Sequence, residues 1–270
     1  VPASYISSSD NSLLKEYIKL QNNRRYRQKT KQIALEGPNL VKEAIRAGLN
    51  PRAIFYSQDY YDQESGKWLN DLSSEVKQLV LTARLFKKIA ETDTPQKVAG
   101  IFYFSEPAGQ NIIGSRPQLV LILDRVQDPG NMGSIIRTAA ATGVEVVYYT
   151  SGSVDPYSPK VLRSTAGAIF NLRLEQSADP QLLIRDLKKS GVQLVAASAK
   201  STDYYWSVDY RLPTALIIGN EAGGIAEELV VQADFTVAIP LQGKVESLNA
   251  AVAGAVVLYE IIRQRTVQAP

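Results

Sequence analysis

From residue 119 onward, short apolar runs alternate with stretches of helical spacing. LVLILD (119–124), VEVVYY (144–149), VQLVAAS (192–198), ALIIGN (215–220) and FTVAIP (235–240) have the length and composition of strands. LVLILD is continuously apolar, as expected of a strand covered on both faces. Between the runs, 132–142, 159–170 and 180–190 carry helical spacing, and 248–263 predicts a long apolar helix. This alternation predicts a mostly parallel α/β sheet with helices on both faces. In such sheets a ligand sits beyond the carboxyl ends of the strands.

The preceding part of the chain is organised differently. It predicts a small α/β unit, with helices at 15–25 and 39–47, the second stopped by Gly48. Strands are expected at 53–57 and 98–104, and a strand followed by a helix within 73–92. A stretch rich in Gly, Pro, Ser and Asn separates the two parts. The expected division is 1–105, a linker at 106–118, and 119–270, in keeping with a length of 270 residues. Charge follows the same line. Residues 1–105 hold 16 Lys/Arg against 11 Asp/Glu, and 106–270 hold 14 against 16. Seven cations fall between Lys15 and Lys31: Lys15, Lys19, Arg24, Arg25, Arg27, Lys29 and Lys31. Such a run meets nucleic-acid phosphates or forms a solvated helix face.

Composition narrows the chemistry. The chain has no cysteine and no histidine. Disulfides, thiolate or imidazole metal sites, cysteine nucleophiles and histidine acid–base catalysis are therefore excluded, and no metal is expected. No apolar run approaches the roughly 20 residues of a membrane helix. VPASYISSSDNSLL lacks the basic and apolar regions of a signal peptide. A soluble, cytoplasmic protein is expected.

Three loops at strand ends carry polar groups next to glycines. DRVQDPGNMGSIIRTA (124–139) sets Asn131 near a helix start, where it can cap the helix or face a ligand, and Arg137 six residues on. By local pattern alone this is an ordinary capped helix with an exposed Arg. GNEAGG (219–224) puts Glu221 at an expected helix start between glycines that allow close backbone approach. It is not the G-x-G-x-x-G of a dinucleotide site. IPLQGKVESLNAA (239–251) opens the last helix at Ser247-Leu248-Asn249, where Ser247 by itself is an N-cap. Residues 109–116 lack the Lys-Ser/Thr ending of a P-loop. Tyr204-Tyr205-Trp206 can pack internally or stack on bases.

Taken together and in this order, the loops resemble the SpoU (TrmH-like) branch of the SPOUT RNA methyltransferases. Asn131, Gly133 and Arg137 are similar to its N-x-G-x-x-x-R motif, preceded by Asp124, Asp128 and Pro129. Gly219, Glu221 and Gly224 are similar to G-x-E-x-x-G. Ile239, Pro240, Gly243, Ser247, Leu248 and Asn249 are similar to I-P-x-x-G-x-x-x-S-L-N. The sequence departs from the family pattern at Ala222, Thr165 and Ala250, with no chemical group lost from the expected site. More loosely, the front part resembles the family's L30e-like substrate-binding domain, with its Glu36-Gly37 before a helix.

The resemblance implies an L30e-like α/β domain followed by a mostly parallel sheet domain with a carboxyl-terminal trefoil knot. It implies transfer of a methyl group from S-adenosylmethionine to a ribose 2′-hydroxyl of RNA, with ribosomal RNA the expected target. Arg137 is the implied catalytic residue, oriented together with the ribose by Asn131, Glu221, Ser247 and Asn249. A free guanidinium is a poor base, its pKa being above about 12, so holding a phosphate and stabilising alkoxide charge suit Arg137 better. The methyl donor is expected against Ala197, Ser198, Ile218, Gly219, Gly224, Ile239, Leu241, Ser247 and Leu248. The seven front cations are the expected RNA contacts. A homodimer through the knot domain and the last helix is implied, with a site built from both copies. A non-catalytic RNA-binding or ribosome-assembly protein on the same scaffold is the alternative. Loss of Arg137 or of Ser-Leu-Asn would signal it, and both are present. An unrelated enzyme for a phosphorylated ligand explains the glycines but not the basic front.

Overall fold

In the computed structural model, which describes residues 4–91, 95–104 and 113–267, the late apolar runs align in one sheet. The chain forms two compact units. Val1–Ser105 with Tyr157–Phe170 makes the first, and Glu106–Pro156 with Asn171–Pro270 the second. Of the expected linker, 106–112 lies outside the described residues, and Ile113–Ser115 makes a short 3-10 turn.

The first unit contains β1 (Ser4–Ile6), α1 (Ser12–Asn22), α2 (Arg24–Thr30), β2 (Gln32–Glu36), α3 (Pro38–Arg46) and β3 (Pro51–Tyr56). It continues with α4 (Gln58–Tyr61), β4 (Lys77–Leu81), α5 (Ala83–Ile89) and β5 (Val98–Tyr103). The sheet order is β1-β4-β3-β5-β2, with β5 antiparallel to both neighbours and the rest parallel. The single helix expected at 15–25 is two. Asn23 leaves helical geometry and its side chain accepts from the amide of Tyr26, so it ends α1 and caps α2. Leu14, Tyr17 and Leu20 of α1 bury against Phe55, Leu79 and Ile101. β1 and β2 are absent from the sequence expectation. QIALE is a five-residue run between a basic stretch and Pro38, yet all of it is buried.

The second unit holds β6 (Leu119–Leu123), α6 (Pro129–Ala141), β7 (Val146–Thr150), β8 (Arg173–Ser177) and α8 (Pro180–Lys189). It ends with β9 (Gln193–Ala197), β10 (Thr214–Ile218), α9 (Glu227–Val230), β11 (Phe235–Val237) and α10 (Ala250–Thr266). Helix α7 (Pro159–Thr165), between β7 and β8 in sequence, clusters with the first unit. It stops at Ala166 and Gly167, both at positive φ. A Cβ on Gly167 would lie 2.7 Å from Cβ of Glu43, so only glycine fits there. The helix expected through 170 therefore ends early.

The sheet order is β11-β9-β10-β6-β7-β8, parallel throughout. β8 was not expected because RLEQS, at the sheet edge, has Leu174 as its single apolar residue, with Arg173 ion-paired to Glu175. β11 stops at Val237 rather than running to Pro240, since Ala238 instead bridges Tyr204. The register brings the carboxyl ends of four strands to one level. Leu123 pairs with Ile218, Ala196 with Ile217, and Ala197 with Val237.

Candidate active site

The loops leaving β6, β10 and β11 converge at that edge. Asp128 caps α6, its Oδ1 accepting from the amide of Asn131 at 2.8 Å, with Pro129 in the first helical turn. The capping role open to Asn131 is thus taken by Asp128, and the Asn131 side chain is released outward. Asn249, not Ser247, caps α10. Its Oδ1 accepts from the amides of Ala251 and Val252 at 2.9 and 3.3 Å. Glu221 does not open a helix. It lies in a tight turn, and α9 begins at Glu227.

Three side chains from the three loops join. Nδ2 of Asn249 donates to Oδ1 of Asn131 at 2.8 Å, and Nδ2 of Asn131 donates to Oε1 of Glu221 at 2.6 Å. Each amide donates through one end and accepts through the other, which fixes both orientations. Ser247 is exposed and takes no part in this chain of bonds. Arg137 also stands apart. Six residues along α6 turn it about 240° from Asn131, and it is exposed, with no hydrogen bond or ion pair among the described residues. None of the four groups expected to orient Arg137 bonds to it within one chain. Within one chain, Asn131, Glu221 and Asn249 hold one another.

The turn carrying Glu221 is closed by paired backbone bonds between Asn220 and Gly224, at 3.0 and 2.9 Å. A Cβ on Gly219 would sit 2.3 Å from the carbonyl carbon of Gly224, so glycine is required for this closure. Asn220, missed in the sequence, organises the turn. Its Oδ1 accepts from the amides of Ala222 and Gly223, and its Nδ2 donates to the carbonyl of Arg125 at 2.8 Å. The adjacent Asp124 is buried, 3% exposed. It accepts from Oγ1 of Thr150, from the Arg125 guanidinium, and from the amide of Ala226. Asp124 thus ties the end of β6 to the last residue of β7 and to the loop after β10. An Asn after a Gly and an Asp at a strand end were the available signals.

A cavity of about 450 Å³ opens beside this network. Ala197, Ser198, Ile218, Gly219, Gly224, Ile239, Leu241, Ser247 and Leu248 all line it, with Glu221, Glu246 and Lys200. Among the described residues no group of His, Cys, Asp and Glu is arranged to hold a metal, and no helix is long and apolar enough to cross a membrane.

The front cations are not all exposed. Arg27 is 4% exposed, and its guanidinium donates to the carbonyls of Leu20 and Gln21. It joins α1 to α2 and is not available to a phosphate, which corrects its expected role as an RNA contact. Lys15 pairs with Asp10, and Lys19 lies 4.1 Å over the ring of Tyr26. Lys15, Lys19, Arg25, Lys29 and Lys31 are exposed, and Arg24 is half-buried.

Comparison with known proteins identifies the family. Residues 118–259 match the SpoU rRNA Methylase family, and 11–100 match an MRM3-like substrate binding domain. An uncharacterized tRNA/rRNA methyltransferase of Synechocystis is 35% identical, over 96% of this chain and 94% of that protein. The Bacillus subtilis 23S rRNA (guanosine(2553)-2′-O)-methyltransferase RlmP is 31% identical, over 95% of this chain and 98% of its own. The crystal structure of the SpoU methyltransferase AviRb from Streptomyces viridochromogenes, in complex with AdoMet, superposes with a TM-score of 0.85. It is 27% identical, over 95% of this chain and 98% of that one. Fold and site define an α/β RNA methyltransferase. The chain belongs to the SpoU rRNA methylase family.

Proposed function

We propose that the protein transfers a methyl group from S-adenosylmethionine to a ribose 2′-hydroxyl of large-subunit (23S-type) ribosomal RNA, in the cytoplasm. The observation that carries this reading is the Asn131–Glu221–Asn249 chain of hydrogen bonds beside the cavity, which joins all three family motifs. Similar proteins named as 23S rRNA 2′-O-methyltransferases support the target.

The cavity fits this donor. Ile218, Ile239, Leu241 and Leu248 offer apolar walls for a planar base, and Glu221 and Glu246 bring carboxylates suited to a cationic ligand. When bound, the donor supplies an electrophilic methyl group, so no metal or covalent nucleophile is needed. The chain's task is to orient the ribose hydroxyl and manage its proton. Asn131, held at both ends, orients the ribose. Asn249, capping α10, positions the loop after β11, and Ser247 on the cavity wall faces the donor and the ribose. Arg137 holds an RNA phosphate and stabilises charge developing on the 2′-oxygen.

Arg137 acts in a site completed by a second copy of the chain. Its separation from Asn131 within one chain supports that reading. So does α10, where Val252 and Tyr259 are 49% and 56% exposed on an apolar helix. The dimer forms through α10 and the second unit, whose carboxyl-terminal part we take to be knotted as in the family. Lys15, Lys19, Arg24, Arg25, Lys29 and Lys31 meet RNA phosphates.

The test is transfer of radiolabelled methyl to 23S rRNA, with mapping of the modified nucleotide. A methyl on a ribose 2′-oxygen, with transfer abolished by Arg137→Ala, is expected. RNA binding without transfer under saturating donor would favour the assembly-protein reading.

A further inference from the structure

Two of the chain's largest exposed rings stand together beyond β9. Tyr204 and Trp206 are 45% and 49% exposed, with ring centroids 4.9 Å apart and planes tilted by 36°. Tyr205 meets the same indole edge-on, also at 4.9 Å. The turn Tyr205–Ser207 packs against α10.

The loop that carries these rings is pinned to β11. The amide of Tyr205 donates to the carbonyl of Ala238 at 3.0 Å, and the amide of Ala238 donates to that of Asp203 at 2.7 Å. Oγ of Ser201 donates to the carbonyl of Thr236 at 2.7 Å. The rings are therefore held before any ligand arrives, and little side-chain freedom is lost on contact.

Their position relative to the cavity identifies the partner. Ser198, Ala199 and Lys200 of the same loop line the cavity, and so does Ile239, the residue after the one Tyr204 bridges. An exposed aromatic face on the loop that also lines the methyl-transfer cavity has the chemistry of a nucleobase platform.

We propose that Tyr204 and Trp206 form a stacking platform for an unpaired base of the RNA substrate, adjacent to the modified nucleotide. This rests on the proposed function and deepens it. Stacking is tolerant of sequence, so the platform positions the strand and leaves base identity to other contacts.

Trp68 and Trp206 are the chain's two tryptophans, so Trp68→Phe makes Trp206 a lone reporter. Full-length Trp68→Phe protein titrated with single-stranded oligo(A) should show saturable quenching of Trp206. Trp206→Ala and Tyr204→Ala should each raise KM for 23S rRNA about tenfold, with donor affinity and sedimentation unchanged, and Trp206→Phe should restore most of the loss. An unchanged KM together with no quenching overturns the platform. Loss of the dimer in Trp206→Ala, with no quenching by RNA, also overturns it and assigns the rings to an interface between copies. If the unsubstituted protein methylates no RNA, the functional reading fails while the quenching experiment still decides the platform.

Discussion

Asn131 accepts from Asn249 and donates to Glu221, so its loss leaves both neighbours without their partner. Asn131→Ala should lower kcat/KM about 10- to 100-fold. The residue is only half-buried and does not cap its helix, so the melting temperature should move by no more than about 2 °C. Steady-state kinetics beside a thermal melt checks this. Arg27 and Lys29 make a contrasting pair on α2. Arg27→Ala removes a buried guanidinium from two carbonyls and should cost about 1–3 kcal/mol, whereas Lys29→Ala should stay within about 0.5 kcal/mol. Denaturant unfolding measures both, and RNA affinity should fall for Lys29→Ala in proportion to one lost phosphate contact. The sequence offered no means of separating these two cations. Both lie in one basic run, and only the break of the helix at Asn23 turns Arg27 inward.

Among the elements, the late strands were legible because each is an apolar run needing cover on both faces. β8 was not, because an edge strand carries polar residues on its open side. Helix starts were displaced for a related reason. Several residues near each start can cap, and the backbone selects one. At α6 it is Asp128, one position before Pro129, and at α10 it is Asn249. The nine residues expected at the cavity were legible through the motifs and the end of the run VQLVAAS, whereas the hydrogen bonds of Asn220 and Asp124 depend on loops distant in sequence. Asp124→Ala should leave the Thr150 hydroxyl, the Ala226 amide and the Arg125 guanidinium without this acceptor. A loss of about 2–3 kcal/mol in denaturant unfolding is expected, together with weaker donor binding by calorimetry. On α10, the buried Glu260 accepts from the Arg263 guanidinium at 2.7 Å through each oxygen, and this hydrogen bonding holds its carboxyl below the ordinary value of 4.5. Its contribution to stability is therefore full above that value and lost as pH falls through the lowered one. Replacement by Gln should flatten the acid limb of stability against pH, leaving neutral pH as the region of greatest loss.

At the scale of the whole molecule, a basic first part precedes a slightly acidic second part, which suits phosphate attraction by the front and chemistry at the back. Affinity for RNA should fall with salt, and charge removal at Arg25 and Lys29 together should make the slope shallower. The proposed composite site makes a sharper demand. Arg137→Ala and Asn249→Ala should each be inactive alone, yet mixing them through reversible dissociation should restore part of the activity, since some mixed dimers carry one intact site. No recovery after demonstrated subunit exchange would place both residues in the same copy's site.

The most direct measurement of the central claim is nucleoside mass spectrometry of 23S rRNA incubated with the pure protein and isotopically labelled S-adenosylmethionine. The expected result is one ribose-methylated nucleoside carrying the label, present with the unsubstituted protein and missing with Arg137→Ala. Label on a base, or no label in RNA with the donor bound and the dimer intact, would contradict the account.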